Sequence, residues 1–289
     1  MGLDYDKLIA WPFPEIEQTY TERDTIFYAL GVGFGADPTA PAHLRYVYEV
    51  GLEAVPAMAT VLAGPGFWMQ DPRTGVDWKK IMAAEMAITL HRPIPVKGTV
   101  VAQMKVTEIY DKGADKGALL TYRRELYDKA TGDHLCTLDG SSFLRGNGGF
   151  ATQPQPSPQP APLPQRAPDV SIAIDTLPQA ALIYRLSGDY NPLHADPAIA
   201  LLAGFPKPIL HGLCTYAIAC RAVMQAHASE PRLTVRSFSS RFVSAVFPGE
   251  TIATDIWRLG GGKLAFRCRV VERDVVVLSG GTAQMGSFD

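Results

Sequence analysis

Tyr184-Arg-Leu-Ser-Gly-Asp189-Tyr-Asn191-Pro-Leu-His194-Ala-Asp196-Pro197 is where the chain stops reading as scaffold. Gly188 and Pro192 interrupt any helix running in from Leu182, so Asp189, Asn191 and His194 fall on a kinked loop and not on a helical face. Asp196 is placed to N-cap a short helix with Pro197 at its first position, and Gly204 to end it. A carboxylate, an amide and an imidazole this close together supply an acid/base pair and a donor that orients water or substrate. Downstream, Gly212 to Ala228 carries Leu213, Tyr216, Ala217, Cys220, Val223, Met224 and His227 on one wide stripe, which predicts a helix buried against a sheet. Beyond it, Arg236 to Val246, Thr251 to Leu259, Leu264 to Glu272 and Val275 to Gly281 are short β-prone runs. They are separated by Phe247-Pro248-Gly249, Gly260-Gly261-Gly262 and Arg273-Asp274.

The first half of the chain echoes this layout. Tyr20-Thr21-Glu22-Arg23 leads into Ile26, Phe27 and Leu30 at helical spacing and stops at Gly31-Val32-Gly33, as Leu177-Pro178 leads into Leu182, Ile183 and Leu186 and stops at Ser187-Gly188-Asp189. Placing Tyr28 on Tyr184 puts Leu30 on Leu186 and Gly33 on Asp189. Lys97 to Ala102 parallels Pro248 to Ala253, and each is followed by an alternating segment, Leu119 to Tyr127 or Leu264 to Glu272, expected to be a half-buried antiparallel strand. Each half then reads as one long helix plus hairpin-linked strands, an α+β layout. Between them, Ala151 to Pro168 holds seven of the 23 prolines and is expected to be an extended, semi-rigid tether. The expected organisation is residues 1–150, a linker 151–168, and residues 169–289.

Composition bounds the function. A chain of 289 residues with 47% apolar residues and net charge −2 has the make-up of a globular protein, not of a disordered segment or a basic nucleic-acid binder. Its apolar stretches fall short of the roughly 20 residues that span a bilayer, so no membrane is expected. Met1 to Lys7 does not read as a secretory signal, and Gly286-Ser287-Phe288-Asp289 is not a Ser-Lys-Leu type of address. Cys136, Cys214, Cys220 and Cys268 have no C-x-x-C spacing, and a cytoplasmic, reducing compartment is expected.

The stretch 184–200 resembles the signature of the MaoC-like, R-specific enoyl-CoA hydratases, the hydratase 2 motif. Tyr184, Leu186, Ser187, Gly188, Asp189, Asn191, Pro192, Leu193, His194 and Ala200 match it by type and spacing. The likeness runs on from Ala203 through Pro208, Ile209, Leu210, His211 and Gly212 to Cys214, and extends more loosely to Tyr28–Gly33, Tyr48 and Glu49. It implies a double hot-dog fold, two repeats each with a long helix wrapped by an antiparallel β-sheet. It also implies reversible hydration of a trans-2-enoyl-CoA to the (3R)-3-hydroxyacyl-CoA. Carried over by position, Asp189 and His194 are the catalytic acid/base pair, Asn191 orients them or the water, and the backbone N–H of Gly212 supports the thioester oxygen. Which of Asp189 and His194 is acid and which base stays open.

Tyr190, Pro192 and His211 fall on the substrate side, with His211 expected chiefly to help form the helix start. Glu49 has a supporting role in this resemblance, and Lys80, with Lys79, is a candidate for the CoA phosphates. No metal is expected, because Asp189, His194 and His211 follow no standard zinc spacing. No cofactor is expected either, since the thioester already acidifies Cα. The partners implied are an acyl-CoA thioester and a second copy of the chain. Gly33 stands where Asp189 stands and no Asn-Pro-Leu-His follows it, so one site per chain is expected, with the degenerate half widening the acyl tunnel. Ala83-Ala84-Glu85-Met86 departs from the family's His-Gly-Glu-Gln and leaves acyl specificity open. The alternatives are a dehydratase of another 3-hydroxyacyl thioester, on acyl-ACP or a dicarboxylic CoA ester, and a non-catalytic acyl-thioester-binding protein. Nothing resembles the helix-borne nucleophile or base of a hot-dog thioesterase.

Overall fold

The computed structural model describes residues 3–157, 159, 162–228, 230 and 233–288. Its helices are α1 (Tyr5–Ile9), α2 (Glu22–Gly31), α3 (Pro41–Leu44), α4 (Ala180–Tyr184), α5 (Pro197–Leu202) and α6 (Gly212–Gln225). Its strands are β1 (Ile16–Tyr20), β2 (Ile81–Leu90), β3 (Gly98–Asp111), β4 (Ala118–Asp128) and β5 (His134–Leu144) in the first half. The second half contributes β6 (Val170–Asp175), β7 (Thr234–Phe242), β8 (Thr251–Gly260), β9 (Lys263–Val270) and β10 (Val275–Gly286). Local chemistry sets several ends. The N–H of Thr21 donates to the Asp24 carboxylate at 2.8 Å at the start of α2. Asp196 caps α5 as its spacing predicts, accepting from the Ala198 N–H at 2.8 Å, with Pro197 at the first position.

All ten strands form one antiparallel sheet in the order β1-β3-β4-β5-β2-β7-β10-β9-β8-β6. Read inward from either edge, the order is the same: an outer strand, then the three-strand meander, then the seam strand. The halves are thus related by a pseudo-twofold axis and joined where β2 pairs β7, from Glu85 opposite Arg241 to Thr89 opposite Ser237. Tyr28 and Tyr184, equivalent in the internal repeat, face each other near that axis with ring centroids 5.9 Å apart. The α+β double hot-dog architecture is present.

One expectation needs correction: only the second half has a long helix. Residues Cys214 to Val223 of α6 are all buried, and Tyr216 anchors the helix by donating its hydroxyl to the Phe238 carbonyl on β7 at 2.5 Å. In the first half the matching position is a 3-10 turn, Pro56–Thr60, packed against α6. The sequence explains the loss, because Gly64-Pro65-Gly66 stops any helix within two turns of Pro56.

Two strand ends also move. β7 stops at Phe242, and the chain then turns so that Val246 accepts the Leu210 N–H at 2.7 Å. β10 continues past Gly280-Gly281 to Gly286, the glycine pair marking a bulge with Gly280 at φ +56 and not a strand end. Helix α6 ends at Gln225, three residues before Ala228, in a turn.

The proline-rich stretch has no helix or strand among its described residues; positions 158, 160 and 161 lie outside them. It is tied at both ends. The Asp111 carboxylate accepts from the N–H groups of Gly149 and Ala151, and Asp111 also accepts the Gln155 N–H through its carbonyl. Arg166 pairs with Asp169 at 2.6 Å, and Trp257 donates to the Arg166 carbonyl. Among the described residues no helix is long and apolar enough to cross a membrane.

Candidate active site

Helix α4 gives way to a 3-10 turn, Arg185–Ser187, and Gly188 at φ +122 lets the chain reverse into the loop that carries Asp189. The Asp189 carboxylate accepts the Asn191 N–H at 3.2 Å, and Asn191 Oδ1 accepts the Leu193 N–H at 3.1 Å. The Asn191 carbonyl oxygen is therefore occupied with fixing the turn Pro192–His194, at whose end His194 is presented. Asn191 holds the turn that carries His194, and Pro192, at its first position, contributes by its fixed φ.

His194 is buried, and its Nδ1 lies 2.8 Å from the Ile209 carbonyl. A carbonyl only accepts, so Nδ1 carries the hydrogen and Nε2 keeps its lone pair. His211 is 1% exposed, and its Nε2 lies 3.1 Å from the main-chain carbonyl of Asp189. The same reasoning puts the proton on Nε2 and a lone pair on Nδ1, which is buried without a hydrogen-bond partner. The two imidazoles stack at 3.7 Å between centroids, with Tyr184 5.0 Å from His211. Burial pushes both rings below the ordinary imidazole pKa. For His211 the charge of neighbouring His194 adds to burial and takes the value to about 4. Both are neutral at pH 7.

His211 thus has two parts to play. Its carbonyl accepts the N–H groups of Cys214 and Thr215 at the start of α6, as expected of a helix-start residue, but its side chain makes no cap. The ring belongs to the Asp189–His194 cluster. Gly212 follows at the first position of α6, where the helix leaves its first amides unpaired and the dipole favours negative charge. A Cβ at Gly212 would lie 3.2 Å from the Phe242 ring, so glycine lets the helix start close against β7.

The other candidates are not drawn into the cluster. Tyr190 is exposed at its rim, its ring facing the Arg185 guanidinium at 5.1 Å. Lys80 precedes β2 and pairs with Asp77 at 3.0 Å. Register places the start of β2 at the same end of the sheet as Phe242. Glu49 is exposed in the bend after α3, where Glu53 pairs with Arg45. Glu85 accepts from Arg241 Nε at 2.7 Å across the seam. Sequence reading missed Arg185, whose Nε is buried without a partner in the same loop as Asp189, as is the Oγ of the motif residue Ser187. It also missed Arg221, which lies on the buried face of α6. A charged residue inside an otherwise apolar helical stripe was the available signal.

Comparison with known proteins shows the family and the fold. Residues 159–280 match the family described as MaoC like domain, and residues 18–146 match the MFE-2 hydratase 2 N-terminal domain. The chain is 37% identical to the Arabidopsis thaliana protein named Enoyl-CoA hydratase 2, peroxisomal, over 95% of this chain and 93% of that one. It is 37% identical to 3-hydroxyacyl-thioester dehydratase Y of Mycobacterium tuberculosis over 95% and 94% of the two chains. Among solved structures, a MaoC-like dehydratase from Phytophthora Capsici superposes with a TM-score of 0.84 at 34% identity, covering 98% of this chain and 99% of that one. Shared sequence over nearly the whole length, in both halves at once, means that this chain belongs to the MaoC-like, hydratase 2 family of double hot-dog proteins.

Proposed function

We propose that the chain catalyses the reversible hydration of a trans-2-enoyl-CoA to the (3R)-3-hydroxyacyl-CoA, using Asp189 and His194. The observation that carries this reading is the fixed tautomer of His194. Its Nδ1–H is held by the Ile209 carbonyl, and its Nε2 lone pair stands free in a cluster with Asp189 at the N-terminus of α6. Placed with its thioester oxygen at the Gly212 N–H, the substrate turns its Cβ toward water held by the pair. His194 Nε2 takes a proton from the water as the hydroxide oxygen bonds to Cβ. The double-bond electrons move toward the thioester oxygen, where the Gly212 amide and the helix dipole stabilise the enolate-like charge. Asp189 offsets the charge of the imidazolium. Cα then takes a proton from the pair, which returns to its starting state, and the product differs from the substrate by one water. Dehydration is the same path in reverse.

The first half, with Gly33 in place of an acid, is assigned to the acyl chain. Its Phe34 and Tyr46 wall a cavity of about 250 Å³ at the far end of α6 together with Met224 and Leu233. Four free, buried thiols suit a reducing compartment, the cytosol.

The test is to follow enoyl-thioester absorbance with crotonyl-CoA and longer trans-2-enoyl-CoA substrates and to analyse product chirality. Loss of absorbance with (3R) product is expected. The (3S) product overturns the stereochemistry, and no turnover on any enoyl-CoA favours an acyl-binding protein. Light scattering of the eluted protein tests the homodimer that the resemblance implies.

A further inference from the structure

We propose that Asp189, His194 and His211 together form a chelating site for a late first-row divalent cation, Zn²⁺ above all, and that its occupation switches the hydratase off. One donor atom from each of the three lies within 4.8 Å of the others. Both imidazoles are arranged as ligands. Each uses one ring N–H to hold a backbone carbonyl, His194 that of Ile209 and His211 that of Asp189. This is the outer-shell partner that commonly fixes the tautomer of a metal-bound histidine. Each is left with one lone pair, and that of His211 Nδ1 is buried with nothing to bond.

Two nitrogens and a carboxylate oxygen are the donor set of a three-ligand zinc site with an open fourth position, whereas Mg²⁺ and Ca²⁺ prefer oxygen alone. A tetrahedral site needs ligand atoms about 3.4 Å apart, so a bound metal requires the three side chains to close in from the 4.8 Å within which their donor atoms lie. Sequence spacing hides the set because its members come from a loop, a 3-10 turn and a helix start. The lone pair of His194 that takes a proton from water is the one a metal would occupy, so the two uses exclude each other. The chelation rests on geometry alone, and the inhibition rests on the hydratase reading.

Calorimetric titration of ZnCl₂ into the full chain, with MgCl₂ as control and CoCl₂ followed by visible absorbance, tests the binding. One Zn²⁺ per chain in the micromolar range and no response to Mg²⁺ are expected. So is an intense Co²⁺ band from low coordination. Asp189→Asn should weaken binding at least about tenfold and His211→Asn about a hundredfold. If His211→Asn does not fold, Asp189→Asn and the cobalt spectrum decide. No binding, or equal binding by wild type and variants, overturns the site. Saturating Zn²⁺ should abolish enoyl-CoA hydration, with EDTA restoring it. An enzyme that works with zinc bound overturns the inhibition. A chain that binds zinc as stated but never hydrates any enoyl-CoA overturns the hydratase reading and leaves the chelation standing.

Discussion

The loop after α2 and the loop after α4 occupy equivalent places about the pseudo-twofold axis, yet only the second presents a carboxylate at the position that Gly33 shares with Asp189. Both are followed, 22 positions on, by the start of an inner helical segment: Gly33 leads to Val55, and Asp189 to His211. In the second half that segment is the 14-residue α6, with His211 and Gly212 at its head. In the first it is a five-residue 3-10 turn, with Val55 and Pro56 in their place. Proline has no N–H to offer an oxyanion, and valine has no proton to share. The vacated acid position is filled instead. Arg221, reaching across from α6, puts its Nη1 against the place where a Cβ of Gly33 would lie. Its guanidinium faces the Phe34 ring, and its Nε has no partner. The first half thus keeps the strand order of the second without its Asp, Asn, His and Gly at the equivalent positions.

Substitutions at equivalent positions should separate chemistry from shell. The largest effect is expected from Asp189→Asn or His194→Gln, each lowering kcat about a thousandfold with the fold intact, as steady-state assays and circular dichroism would record. If both variants turn over crotonyl-CoA at the parental rate, the second half is no more catalytic than the first. The two glycines should then behave oppositely. Gly212→Ala presses a methyl on the Phe242 ring and shifts the amide proposed to face the thioester, so kcat/KM should fall roughly tenfold with little change in Tm. Gly33→Ala sits at φ +87 against the Arg221 guanidinium and should cost about 2 kcal/mol of stability in urea unfolding, with kcat unchanged.

Two smaller effects sharpen the contrast. Burial alone pulls the Arg221 pKa down to about 10, with no carboxylate to offset it. Arg221→Met should therefore raise stability by about 1 kcal/mol, seen as a higher urea midpoint. The weak 3.4 Å contact to the Val32 carbonyl is the only hydrogen bond described for its guanidinium, and little is lost with it. The catalytic half should be the acid-sensitive one. His211 has a folded pKa near 4, below its unfolded value, so the unfolded chain takes up a proton first as pH falls through about 6.5. Stability should drop by roughly 1 kcal/mol between pH 6.5 and 5.5, less so in His211→Asn. Hydration should lose rate only below the ordinary imidazole pKa, because burial keeps His194 unprotonated there.

The sequence carried the catalytic loop and the repeat because both rest on local rules. A Gly-Asp at a helix end, a proline three residues on and an Asp-Pro cap each act within a few positions, and the hairpin strands announce themselves by alternation and glycine turns. The length of the first half's helix was legible too, since Gly64-Pro65-Gly66 forbids more than two turns, but the analogy between halves outweighed that local signal. Strand ends at Phe242 and Gly286 were not legible. The first is set by where the chain must turn to meet Leu210, and the second by a bulge that keeps β10 in register with β7 and β9.

What the sequence determined by itself is the kind of chemistry available: which side chains can move a proton, how far apart they stand along the chain, and that only the second half has the Gly-Asp-x-Asn-Pro-Leu-His run. Tertiary structure decided the protonation geometry. His194 and His211 are 17 positions apart, and no periodicity brings them together. Packing the turn Pro192–His194 and the head of α6 into one buried corner stacks their rings and hands one N–H of each to a backbone carbonyl. It also removes the water that would otherwise stabilise their charged form. A tautomer depends on which acceptor lies within 3 Å of which nitrogen, and a pKa on what surrounds the ring; both are properties of the folded interior.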